Sequence, residues 1–161
     1  MKQLFLIRHA KSSWSDPSLS DHERPLNDRG KRQIKVMRRL IHAGGAFRGA
    51  VFCSTAARAR ATLDGLLGNT RSASVTFEPA LYTFDHQDLL EWLGEREEER
   101  VTVIAHNPAL EDLADLLLRP GPAHLPTCAF LAMVLEGQRW CKPESVRLVQ
   151  FATPKSVAAA G

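Results

Sequence analysis

Two histidines and two arginines stand where short apolar runs of this chain stop. Residues 4–7 end in Arg8-His9, residues 50–53 are followed by Ser54-Thr55-Ala56-Ala57-Arg58, and residues 101–105 by His106-Asn107-Pro108. A guanidinium beside an imidazole is costly to bury without partners. Such a pair either marks the point where a strand leaves the core or holds something anionic. Arginine presents a planar fork of donors that matches phosphate, and phosphoryl transfer is chiefly positioning plus charge stabilisation on the phosphoryl oxygens. A histidine ring nitrogen can attack phosphorus in line, giving a phosphohistidine that water resolves, when an acceptor at its other nitrogen fixes the tautomer. In such a site Arg8 and Arg58 would neutralise the phosphoryl charge, and His106 would donate a further hydrogen bond as charge builds.

These residues need strands that end on one side of a sheet, and the hydrophobic pattern supplies them. Residues 3–7, 50–53, 74–77 and 101–105 read as strands. Between them lie amphipathic helices expected at 27–42, 56–67 and 87–94, and another after Pro108. Asn27 or Asp28 caps the first helix and Gly44-Gly45 ends it. Residues 130–135 and 146–151 form two late strands with no room for a helix between them, so one of them runs antiparallel. The expected fold is therefore a single three-layer α/β/α domain with a mostly parallel central sheet and one antiparallel strand. It covers residues 1–152, with a flexible tail at 153–161. In open α/β sheets ligands bind beyond the carboxyl ends of the strands, which is where the two histidines and two arginines fall.

Composition sets the outer bounds. A chain of 161 residues, 44% hydrophobic and 24% charged, has the make-up of one soluble globular domain. Its net charge of +3 suits phosphorylated ligands but is too small and dispersed for nucleic acid. Cys53, Cys128 and Cys141 lack metal-ligand spacing and read as reduced thiols of a cytoplasmic protein. No stretch is long enough to span a bilayer, and the apolar run after Met1-Lys2 is too short for a secretion signal. His42, His86 and His124 have no companions at metal-ligand spacing, so neither a metal nor another cofactor is assigned.

The segments LIRHAKSSW, ERPLNDRG, STAARARAT and VIAHNP occur in that order. Together they resemble the histidine phosphatase superfamily, with its phosphoglycerate mutase-like fold. More closely they resemble its short SixA-type protein phosphohistidine phosphatases. The resemblance runs over residues 1–151. It implies that His9 is the nucleophile, phosphorylated in turnover, and that Arg8, Arg58 and His106 complete the phosphate pocket. Arg58 rather than Arg60 aligns with the motif arginine, and Ser54 with its leading serine. Thr55 stands where the superfamily often has proline. Ser15 occupies the place of a mutase-type asparagine and is carried as a substrate-binding candidate.

Members that cleave phosphate monoesters present a Glu or Asp after the third strand to protonate the leaving oxygen. Here that region reads EPALYTFDHQDLL. Glu78 comes early, and Asp85, His86 and Asp88 are candidates by position alone; Asp85 serves equally as a helix cap. A phosphoramidate needs such an acid less than an ester does, because its imidazole can leave already protonated. The expected activity is metal-independent hydrolysis of phosphohistidine on a partner protein of a signalling or carrier system, through phospho-His9. Two alternatives stay open: a phosphatase of small phosphomonoesters or phosphoanhydrides, and a phosphate-binding module without turnover. Of the remaining residues, His22, Glu23 and Arg24 read as a solvated loop, Trp14 as packing, and Asn107 as the cap of the helix that Pro108 begins.

Overall fold

The computed structural model describes residues 1–71 and 74–160. In chain order the regular elements are β1 (Lys2–Arg8), α1 (Asp28–Ala43), β2 (Ala50–Cys53), α2 (Ala57–Leu67), β3 (Ser74–Phe77), α3 (His86–Gly94), β4 (Arg100–Ala105), α4 (Ala109–Leu118), β5 (Phe130–Glu136), β6 (Ser145–Ala152) and α5 (Pro154–Ala160). Two short 3-10 turns, Asp21–Glu23 and Pro79–Leu81, interrupt the loops. The strands form one six-stranded sheet in the order β3-β2-β4-β1-β5-β6. β1 to β4 are mutually parallel, and β5 runs antiparallel to both of its neighbours, β1 and β6.

Side chains alternate across the sheet with the strand period of two. Leu4, Leu6, Val101, Val103, Leu131 and Met133 face a core closed by α3 and α4. Phe5, Ile7, Val51, Cys53, Ile104 and Phe130 face a second core closed by α1 and α2. The sheet is thus buried on both sides, as expected of three layers. This explains why β1 and β4 read as unbroken apolar runs rather than alternating ones. Among the described residues no helix is long and apolar enough to cross a membrane.

The tail expected from residue 153 is helical instead, as α5. Val157 packs at the margin of the α1–α2 core, so the chain end contributes apolar contact that a short alanine-rich segment does not advertise. Gly161 lies outside the described residues.

One close approach fixes the first helix against the first strand exit. Asn27 caps α1 by accepting from the Gly30 amide at 2.8 Å, while its own amide donates to the Lys11 carbonyl at 3.1 Å. A Cβ on Gly30 would lie 2.2 Å from that carbonyl oxygen. Gly30→Ala must therefore push α1 away from the segment that carries His9. The expected loss of stability is about 1–3 kcal/mol, checked by the urea denaturation midpoint.

Candidate active site

Parallel pairing brings the strand exits together. β4 lies between β1 and β2, with Arg8 in register with Ala105 and Cys53 with Ile104. The His9 amide donates to the Ala105 carbonyl at 3.1 Å and the Ser54 amide to the Ile104 carbonyl at 2.9 Å. The rings of His9 and His106 consequently lie 5.1 Å apart between centroids. Arg58, in the first turn of α2, reaches the same point and donates from Nε to His9 Nε2 at 3.4 Å. Arg8, His9, Arg58 and His106 thus form one cluster, although His106 lies 97 positions beyond His9 in the sequence.

The cluster's hydrogen bonds fix the state of each ring. His9 Nδ1 lies 2.7 Å from the Ala10 carbonyl, which can only accept, so that nitrogen carries the proton. His9 Nε2 is left as a lone pair facing Arg58. Burial lowers the His9 pKa to about 3, with the charges of Arg58, Arg8 and Arg24 adding to the effect against the Ala10 bond. His106 is lowered to about 3 as well, first by burial, then by His9 and Arg58. Its Nε2 lies 2.7 Å from the Ser54 hydroxyl, and its Nδ1 is buried without a partner. Arg8 donates from Nη1 to the Leu125 carbonyl at 3.0 Å, and its Nε is likewise buried and unpartnered. Buried polar atoms are rarely left unpaired, and two of those found among the described residues belong to this cluster. An uncommitted Arg8 donor and an unpartnered His106 nitrogen beside two neutral imidazoles and two guanidiniums suit an anion.

Several residues that the sequence reading set aside belong to the site. Arg24 is buried rather than solvated. It donates to the Ser12 hydroxyl at 2.8 Å and to Asp21 Oδ1 from Nε and Nη2. Asp21 also accepts from Arg58, through its backbone carbonyl at 2.7 Å and through Oδ2 at 3.0 Å, and from the Tyr82 hydroxyl at 2.6 Å. Burial opposes ionisation of Asp21, but the bonds from Tyr82, Arg24 and Arg58 outweigh it and hold the carboxyl well below the usual range. His22 joins the same wall, with Nε2 2.9 Å from the Thr55 hydroxyl and its ring edge-on to Tyr82 at 4.7 Å. A polar, proline-bearing loop gives no sign of this; the one available signal was the arginine of ERPL inside a recognised motif.

Other expectations resolve individually. Trp14 does not pack in the core: it is exposed, with the Arg24 guanidinium 3.6 Å from its ring centroid. Ser15 is exposed and its hydroxyl meets Ser13 at 2.8 Å, so no hydrogen bond among the described residues joins it to the cluster. Asn107 stands one residue ahead of the cap position, which Pro108 takes. Its side chain accepts from the Glu111 amide at 3.2 Å and donates to the Leu125 carbonyl that Arg8 also uses. Thr62 holds the segment after His9, accepting from the Ala10 amide at 2.9 Å and donating to the Arg58 carbonyl at 2.7 Å. Asp85 caps α3, accepting from the Gln87 amide at 2.9 Å.

An α/β domain that gathers two arginines and two neutral histidines at the carboxyl edge of parallel strands defines a recognisable class. Residues 4–100 match the family model of the histidine phosphatase superfamily, branch 1, and the chain belongs to that superfamily. An uncharacterised chloroplastic protein of Arabidopsis thaliana is 28% identical over 151 residues, covering 86% of this chain and 69% of that protein. The fold is shared with a candidate phosphohistidine phosphatase SixA from Agrobacterium tumefaciens, at TM-score 0.80 and 22% identity over 95% of this chain and 98% of that one. It is shared too with the protein histidine phosphatase SixA complexed with tungstate, at TM-score 0.77 and 21% identity over 95% and 97% of the two chains.

Two outcomes are expected. The unfolded chain takes up protons at His9 and His106 below their ordinary value near 6.5, whereas the folded chain refuses them down to about 3. Stability therefore rises with pH across that window and is lost on acidification. The urea midpoint should fall between pH 6.5 and 4, and His106→Asn should flatten part of that slope; an unchanged slope would contradict a neutral buried ring. Asp85→Asn should alter turnover of an aryl phosphate by less than about twofold in steady-state assays, because asparagine caps a helix as well as aspartate does.

Proposed function

We propose that the protein is a metal-independent phosphatase that hydrolyses phosphohistidine on a partner protein through a covalent phospho-His9 intermediate. The observation that carries this reading is the tautomer of His9. With its proton held at Nδ1 by the Ala10 carbonyl, Nε2 presents a lone pair at neutral pH without a separate base to remove a proton.

The surrounding groups supply the remaining requirements. Arg8 and Arg58 neutralise the phosphoryl oxygens, taking the role that a metal ion fills in other phosphatases. The Ser54 hydroxyl accepts from the Ala56 amide at 3.3 Å, which leaves its own proton free to donate to His106 Nε2. The proton of His106 then sits on Nδ1, the unpartnered atom, where it donates to the phosphoryl group as charge builds. Attack by His9 Nε2 forms the phosphorus–nitrogen bond while the substrate's own bond to phosphorus breaks. Water then cleaves phospho-His9 and releases inorganic phosphate. Tungstate, with which the SixA neighbour is complexed, is a tetrahedral oxyanion like phosphate, which supports an oxyanion as the ligand class.

The substrate class follows from the acids. Asp21 is held ionised by its three partners and has no proton to give, and Asp85 is engaged at a helix end. An alkoxide leaving from carbon-linked phosphate benefits strongly from a proton donor. A phosphohistidine ring already protonated at its distal nitrogen departs as neutral imidazole, so a site without a committed acid suits it better. His9→Ala should abolish both turnover and acid-labile labelling by a phosphorylated histidine-containing protein, followed with radioactive phosphate. Substantial residual turnover would overturn the intermediate. Brisk cleavage of alkyl phosphates with none of phosphohistidine would favour the small phosphomonoester alternative, and tight phosphate binding without turnover would favour a binding module.

A further inference from the structure

In-line displacement places the leaving group on the far side of phosphorus from the attacking atom. His9 lies on the floor of the site, 7% exposed, so whatever leaves must depart toward the solvent-facing rim. That rim is aromatic. Phe84 is 47% exposed, yet its ring centroid lies 5.6 Å from that of His106. The Tyr82 ring lies 5.5 Å from His106 and 5.7 Å from Phe84.

The polar end of the rim is equally constrained. Tyr82 gives its single hydroxyl proton to Asp21 Oδ2. Asp21 accepts four side-chain bonds in all, two from Arg24 and one each from Arg58 and Tyr82, which fills its acceptor positions. Asp21 therefore has no place left for a ligand and acts as a positioning residue. The Tyr82 oxygen, its proton committed, can only accept. The rim offers an incoming group an apolar ring face and, beside it, a hydrogen-bond acceptor.

We infer that Tyr82 and Phe84 form a leaving-group subsite for a flat, nitrogen-linked ring, the imidazole of phosphohistidine protonated at its distal nitrogen, which packs on Phe84 and donates that N–H to the Tyr82 hydroxyl oxygen. The inference rests on the phosphohistidine reading and adds the residues that select the leaving group. As His9 Nε2 bonds to phosphorus, the electron pair of the breaking phosphorus–nitrogen bond returns to the substrate ring. The neutral phosphorylated ring has no N–H, so the subsite takes the ring protonated at its distal nitrogen, and loss of phosphorus releases neutral imidazole with that proton still in place. Tyr82 holds that N–H in place throughout and transfers nothing.

Three small substrates separate the contacts. Phosphoimidazole protonated on its ring has both ring and N–H, phosphoramidate has the phosphorus–nitrogen bond without a ring, and p-nitrophenyl phosphate has a ring without the N–H. Phe84→Ala should lower the ratio of kcat/KM for phosphoimidazole over phosphoramidate by about tenfold, and Phe84→Tyr should restore it. Tyr82→Phe should lower the ratio for phosphoimidazole over p-nitrophenyl phosphate by about fivefold. A structural role alone would depress all three substrates together, and that uniform loss would overturn the subsite while leaving the phosphohistidine reading intact. A wild-type enzyme that hydrolyses p-nitrophenyl phosphate but neither nitrogen-linked compound would overturn both.

Discussion

A buried guanidinium must have its charge and its donors met, and Arg58, 2% exposed, is the case on which this site turns. Asp21 meets it, with a carbonyl on one Nη and a carboxylate oxygen on the other, and thereby turns the Nε edge of Arg58 toward His9. The same carboxylate binds Arg24, and Arg24 binds Ser12 and stacks on Trp14. Through this chain of contacts the two ends of the connection between β1 and α1 and the first turn of α2 hold one another. The stretch from Lys11 to Trp14, which chemistry alone leaves without a task, is the collar that seats Arg24.

The arrangement has an electrostatic consequence. Arg8, Arg24 and Arg58 crowd two imidazoles, and Asp21 is ion-paired with Arg24 and Arg58, with Glu111 acting on Arg8 from the far side of Leu125. Burial first, and the excess of positive charge with it, make a protonated His9 or His106 unfavourable, while the same charge makes a phosphoryl dianion favourable in that space. Neutral rings and a positive wall are thus two results of one constraint. By contrast, Cys53 and Cys128 are buried thiols whose pKa values burial pushes up to about 12, so they stay protonated and serve as core residues.

The floor of the site and its rim come from different kinds of structure. The floor is built on the buried central strands β1, β2 and β4 and on the first turn of α2, where parallel hydrogen bonding leaves little freedom. The rim comes from loop residues, Asp21 and Tyr82 to Phe84, where exposure permits variation without disturbing either core.

Much of this was legible in the sequence. Apolar runs of strand length, amphipathic helices between them and a late pair of strands without a helix determined the three layers, because burial on both faces leaves a continuous hydrophobic signature. The residues that close each strand could be named, since a parallel sheet puts all its carboxyl ends on one side. What the sequence left open were pairings between loops: Asp21 with Arg58, Tyr82 with Asp21, Trp14 with Arg24. Such contacts join residues up to 61 apart and have no period, and polar loop residues look alike whether solvated or paired. Only the tertiary structure decided them, because a carboxylate becomes a partner only where folding places a buried guanidinium beside it.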